Sequence, residues 1–233
     1  MNRDYSIIIT ASLIKSHPSI DFIKSVIESL HHINIDKDTQ IILAHDYSNN
    51  NRYDDYLQNL REYISDKRNI KIVVSDTNGH LTGNIRNAFY FIDTEYVLIL
   101  QHDLPFIKSF DINKVISDMR ENTELKHIRF NKRSNVKVLS DSINDLFGKE
   151  IESTNYKYTR TPSWSDNNHI CKSDYYRNII LKECQDGRPM ESYLISKSKT
   201  EDIHSKYGTY IFGPINEPAY IKHIDGRNNM SII

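Results

Sequence analysis

Apolar positions follow two rhythms along this chain. Short apolar runs at Ser6–Ala11, Gln40–Ala44, Asn69–Ser75 and Tyr96–Leu100 predict strands, and the unbroken run Tyr96–Leu100 predicts one buried on both faces of a sheet. Between them apolar residues recur at helical spacing. After Pro18-Ser19 come Ile20, Ile23, Val26, Ile27 and Leu30; the next stripe is Tyr53, Tyr56, Leu57, Leu60, Tyr63 and Ile64. A loop bracketed by Gly79 and Gly83 feeds a third helix carrying Ile85, Phe89 and Ile92. Strands alternating with helices in this way predict βαβ units, right-handed crossovers and an α/β fold with a mainly parallel sheet.

The rhythm changes after Asp103. Asp111 is placed to cap a helix bearing Ile112, Val115, Ile116 and Met119, and His127–Phe130 reads as a strand. From Asn131 to Tyr158 the pattern is polar and irregular, which predicts a hairpin or loop excursion. Gly187 to Glu191 introduces a helix through Tyr193 and Leu194 to about Lys206; Tyr207–Phe212 and Ala219–Ile224 read as two late strands. The closing residues 228–233 are expected to fray.

Composition narrows the picture. A chain of 233 residues with no repeat or linker is expected to be one domain, 1–233. Lys plus Arg (30) balance Asp plus Glu (31), so no charge excess draws the chain to nucleic acid or an anionic membrane. Two cysteines build neither a disulfide framework nor a metal finger, consistent with a reducing compartment. No apolar run has membrane-spanning length, and no signal-peptide core precedes the first strand. A soluble cytoplasmic protein is expected.

Three strand ends deliver polar groups: Thr10-Ala11-Ser12, Asp46 to Ser48, and Gln101-His102-Asp103 before the breaker Pro105. In a parallel sheet these ends share one edge, where open α/β sheets bind ligands. Asp103 is read either as a carboxylate for a divalent cation or as a cap on the next turn. Neither G-x-x-x-x-G-K-[ST] nor G-x-G-x-x-G is present, which disfavours a P-loop ATPase and a Rossmann dehydrogenase. A hard cation held by carboxylate and His is the natural substitute for neutralising a diphosphate.

The run from Asn78-Gly79 through Arg86-Asn87-Ala88 and Glu95-Tyr96 to Gln101-His102-Asp103 resembles the nucleotide-sugar core of GT-A glycosyltransferases, especially family 2. His45-Asp46-Tyr47-Ser48 resembles the Asp-Asp-Gly-Ser after that family's second strand. The resemblance covers residues 5–106 in order. Lys222 to Arg227 and Trp164-Ser165-Asp166 further resemble a subgroup found in large DNA viruses and some algae and bacteria; a viral member would act in host cytoplasm. The resemblance implies a nucleotide-sugar half (1–106) and an acceptor half (107–233). It implies a metal-dependent transferase moving a hexose from a nucleoside-diphosphate sugar, UDP first, to a glycan or glycoprotein acceptor.

Residue by residue, the resemblance makes Asp103 the last Asp of Asp-x-Asp, a ligand to Mn2+ or Mg2+. Gln101 stands where the first Asp belongs, and His102 takes the variable middle position. Asp46 lies near base and ribose, with Thr10 and Ala11 lining the base pocket. Arg86 falls near the phosphates or in a structural salt bridge. His223 matches the late His that completes the metal shell, or is a His satisfied at a strand end. An acceptor hydroxyl needs a base. Glu191, at a helix start, is the first choice, or an ordinary first-turn Glu. Asp166 is the second, orienting the acceptor beside Trp164, whose ring either stacks on a sugar or belongs to the core. Two rivals remain. A sugar nucleotidyltransferase is ranked lower because Thr10–Lys15 lacks glycine. A non-catalytic sugar-nucleotide or glycan-binding module of the same fold is favoured by Gln101 and opposed by Asp103, Glu191 and His223.

Overall fold

The computed structural model describes residues 4–137, 147–194, 197 and 200–224. Four parallel strands form its first half: β1 (Tyr5–Ala11), β2 (Ile41–His45), β3 (Ile70–Val74) and β4 (Tyr96–Gln101). They alternate with α1 (Asp21–Ser29), α2 (Asn51–Tyr63) and α3 (His80–Ala88), as the two rhythms predict. Period-two side-chain alternation puts Ile7 and Ile9 of β1 in one apolar layer and Ile8 in the other. The stripe Tyr53, Tyr56, Leu57 and Leu60 buries α2, whose first turn is capped by the Asn50 side chain accepting from the Arg52 N–H. Burying each large apolar side chain of this kind contributes roughly 1.5–3 kcal/mol.

The second half is mixed. It holds α4 (Ile112–Glu121), β5 (His127–Arg129), β6 (Glu150–Glu152), β7 (Lys157–Arg160), β8 (His169–Lys172) and β9 (Thr209–Phe212). One nine-stranded sheet results, in the order β3-β2-β1-β4-β8-β5-β9-β7-β6. β8 runs antiparallel between β4 and β5, while β5 and β9 are parallel. The irregular stretch 131–158 does contain a hairpin, β6–β7; residues 138–146 lie outside the described residues, as do 225–233 with the expected fraying.

Three expectations need correction. β8 and the helical segments after it, α5 (Ser173–Tyr175), a π-helical turn Tyr176–Ile180 and α6 (Leu181–Glu183), were not expected from the pattern. The single helix to Lys206 is two, α7 (Met190–Leu194) and α8 (Glu201–Tyr207); Thr200 is extended and its side chain accepts from the Ile203 N–H, starting a new helix. Ala219–Ile224 is not a strand but a strap, joined to Phe106 by one antiparallel bridge at Ile221. Among the described residues no helix is long and apolar enough to cross a membrane.

One buried carboxylate fixes the hairpin to the helix layer. Asp118 of α4 is fully buried and accepts from the Asn155 N–H (3.0 Å), Asn155 Nδ2 (2.9 Å), the Tyr156 N–H (3.0 Å) and the Tyr158 hydroxyl (2.7 Å). Truncation would leave several of these donors buried without acceptors. Asp118→Ala is therefore expected to destabilise the fold by about 3–5 kcal/mol, read as a lower urea midpoint.

Candidate functional site

The carboxyl ends of β1, β2 and β4 open on a cleft of about 200 Å³ lined by Thr10, Ala11, Asp46, Gln101, His102, Asp103 and Asp166. The sheet brings the first six together as the strand-end argument predicts, and the loop before β8 adds Asp166. Asp46 Oδ1 accepts from the Tyr47 N–H (3.1 Å) and, across to the next crossover, from the Gly79 N–H (2.9 Å). A Cβ at position 79 would sit 2.8 Å from the Gly83 Cα, so glycine lets this turn pack against its own helix. His102 is buried, with Nδ1 3.2 Å from the Thr10 carbonyl.

The strap runs beside the turn that carries Asp103. The Ile107 N–H donates to the Tyr220 carbonyl (2.9 Å), the Lys222 N–H to that of Pro105 (3.1 Å) and the Ile224 N–H to that of Asp103 (3.0 Å). This antiparallel run sets His223 opposite Asp103, with Nε2 3.0 Å from Oδ2. Asp103 is 2% exposed. A carboxylate oxygen and an imidazole nitrogen so placed suit a divalent cation that takes its remaining ligands from phosphate oxygens and water, as Mg2+ and Mn2+ commonly do. Among the described residues no third His, Cys, Asp or Glu joins them, so a cation here would rely on its substrate for the rest of its shell.

Asp166 and Glu191 form a second acidic pair. Glu191 Oε1 accepts from the Ser165 hydroxyl (2.9 Å) and from the Asp166 N–H (3.3 Å). Burial, and then the neighbouring Glu191 carboxylate, push Asp166 up from 3.8 to about 7. It is Asp166 that lines the cleft; Glu191 stands behind it at the start of α7.

Two expected residues lie elsewhere. Arg86 points away from the cleft lining: Nε meets Asp186 Oδ1 at 3.1 Å and its guanidinium donates to the carbonyls of Leu181 and Cys184, both at 3.0 Å. Of its two readings this is the structural salt bridge, tying α3 to the end of α6. Trp164 is 1% exposed and packs against the rings of His127 and His169, so it belongs to the core and offers no face to a sugar. Burial holds both imidazoles well below their ordinary range, and therefore neutral.

The sequence reading missed His80, Leu81 and Asn84 of α3, which line the cleft, and Asn168 beneath it. Asn84 carried a signal, being a polar residue between Gly83 and Ile85 on the sheet-facing side; it bridges the Ala11 carbonyl (3.2 Å) and the Ser75 hydroxyl (3.1 Å). Asn168 carried none, since its side-chain partners lie more than sixty residues away.

The sequence profile of glycosyl transferase family 2 matches residues 12–177, more than half of the chain. A search of curated protein sequences finds no match. Among solved structures, the chain is similar to residues 1–349 of S. aureus TarS in complex with UDP-GlcNAc (TM-score 0.57, 14% identity, covering 96% of this chain and 61% of that one). It is also similar to the mannosyltransferase PcManGT from Pyrobaculum calidifontis in complex with GDP-Man and Mn2+ (0.58, 10%, 91% and 57%). A third is GalNAc-T7 with UDP, GalNAc and Mn2+ (0.55, 10%, 90% and 42%). At these identities the likeness is one of fold, the GT-A fold. The chain spans about 60% of the length of the TarS 1–349 chains.

Proposed function

Because the chain belongs to glycosyl transferase family 2 and is a glycosyltransferase, we propose that it moves a hexose from a nucleoside-diphosphate sugar to a glycan or glycoprotein acceptor, with Mn2+ or Mg2+ as cofactor. The observation that carries this reading is the meeting of Asp103 and His223 at 3.0 Å, in the same cleft edge as Asp46. A cation held there supplies charge neutralisation for the leaving diphosphate. Thr10, Ala11 and Asp46 bound the space for the nucleoside, and Gln101 and His102 line the same cleft.

For an inverting transfer, the acceptor oxygen bonds to the anomeric carbon as the bond to the diphosphate breaks, and the hydroxyl proton passes to Asp166. We place Asp166 ahead of Glu191 in this role, the reverse of the order expected from sequence, because Asp166 lines the cleft and has its basicity raised by burial and then by Glu191. Glu191 adds to that basicity.

A UDP-sugar is the first choice of donor. Two of the similar structures hold uridine nucleotides and one holds GDP-Man. The test is thermal stability with UDP, GDP and dTDP, each with Mn2+, Mg2+ or EDTA. A nucleotide at 100 times its dissociation constant is expected to stabilise by roughly 2.7 kcal/mol, and only with metal. No shift with any nucleotide would sink the reading. A second reading, a binding module without turnover, has Gln101 in its favour, since the amide lacks a carboxylate's charge. Metal-dependent nucleotide binding without donor hydrolysis or transfer would select it.

A further inference from the structure

Resting on the reading of Asp166 as base, we propose that Gln101 is a positioning residue whose side-chain amide ties the Asp166 loop to the turn carrying Asp103. Gln101 Nε2 donates to the Asp166 carbonyl at 2.9 Å. A carbonyl only accepts, so the amide nitrogen is the atom that must face it. Asn168 holds the same two segments from within. Its Oδ1 accepts from the Gln101 N–H (2.9 Å), its Nδ2 donates to the Leu104 carbonyl (2.7 Å), and its own carbonyl accepts from the Phe130 N–H (2.8 Å). Asn168 is fully buried. Residues 101–104 and 166–168 are thus held by three hydrogen bonds, which set the base loop against the cation turn.

This arrangement explains why an amide stands at position 101. A carboxylate there would set one acceptor against another, and aspartate, a methylene shorter, would also fall short of the Asp166 carbonyl. The GT-A pattern uses a carboxylate at this point, while this chain uses the position to hold its base in place. Placement matters to rate: a displacement of about 1 Å between reacting groups costs roughly a hundredfold.

Gln101→Glu and Gln101→Met in the full chain test the proposal, since both keep the side-chain length and neither can donate. Amide hydrogen exchange at Asp166 and Asn167 is measured without ligand, Mn2+ affinity by electron paramagnetic resonance, and kcat and KM for donor turnover in parallel. Both variants are expected to exchange at least about tenfold faster at these amides, reflecting a lower cost of local opening. Mn2+ affinity should stay within about threefold and kcat should fall about tenfold or more with KM little changed. Unchanged exchange in both variants would overturn the brace. So would tighter Mn2+ binding and faster turnover in Gln101→Glu, the behaviour of a ligand position awaiting its carboxylate. The exchange experiment needs no substrate, so it judges the brace separately from the transferase reading, which the wild-type nucleotide titration judges.

Discussion

Asp103→Ala is expected to abolish the metal-dependent stabilisation by nucleotide and to lower turnover on the order of a thousandfold. A cation at a leaving diphosphate supplies several kcal/mol of charge stabilisation, and each 1.36 kcal/mol is tenfold in rate. Among the described residues Asp103 is the one carboxylate placed against His223, and it is almost wholly buried. Alanine alone would not separate a ligand from a brace, because the same contact holds the strap. Asp103→Asn does. Its amide oxygen still accepts from His223 Nε2–H and the strap's backbone bonds are untouched, but the charge is gone. If Asp103 serves the cation, asparagine fails nearly as badly as alanine; if Asp103 only anchors the strap, asparagine behaves like the wild type. Nucleotide-induced melting shifts with Mn2+ and with EDTA give the answer.

Asp166→Asn is expected to slow transfer by about 10²–10⁴-fold while making the folded protein more stable. The two effects share one cause. Asp166 is raised from 3.8 to about 7 by burial and by Glu191, so folding penalises its ionised form. Between about pH 4 and pH 7 the native state keeps a proton that the unfolded chain releases, and stability therefore falls as pH rises through this window. The penalty is absent below about pH 4 and complete above about pH 7. Asparagine supplies an N–H toward Glu191 and no charge. The variant should melt above the wild type at pH 8, with the difference vanishing toward pH 4. Wild-type turnover should rise with pH through about 7, as the base loses its proton, and this limb should be missing from the residual activity of the variant. Melting curves and pH–rate profiles of both proteins check the pair of outcomes; a variant less stable at pH 8 would refute the electrostatic account of the site.

The first half of the molecule was legible because its inner strands β1, β2 and β4 are buried on both faces, while the edge strand β3 is only partly covered. Ile7 to Ile9 and Val97 to Leu100 are apolar without interruption, and period alone separates them from the stripe of α2. Asp46 and Asp103 could be read as site residues because a parallel sheet turns strand ends into neighbours. β8 could not. His-Ile-Cys-Lys is four residues long, begins with a buried His and has neither alternation nor an apolar run, and it becomes a strand only by filling the gap between β4 and β5. The same long-range assembly hides Asn168 and the contact between Gln101 and Asp166. Ala219–Ile224 failed in the opposite sense: its apolar residues read as a strand, yet the consecutive Tyr220 and Ile221 enter one core cluster and Ile221 alone forms a bridge. Arg86 and Trp164 show that a family position is not yet a function; their surroundings gave both to the scaffold.

The antiparallel insertion of β8 also sets an order of assembly on the ribosome. β4 is complete once Gln101 has been made, and one of its edges pairs with β1. Its other edge, along Val97 to Ile99, waits for a partner that exists only when residue 172 has emerged. At about 5–20 residues per second that wait lasts on the order of several seconds to a quarter of a minute, with an apolar strand edge open to any passing chain. The parallel half can take shape early, but it cannot be safely finished alone. The strand that shields it is delivered with the loop bearing Asp166, so protection of the nascent sheet and arrival of the proposed base are a single event.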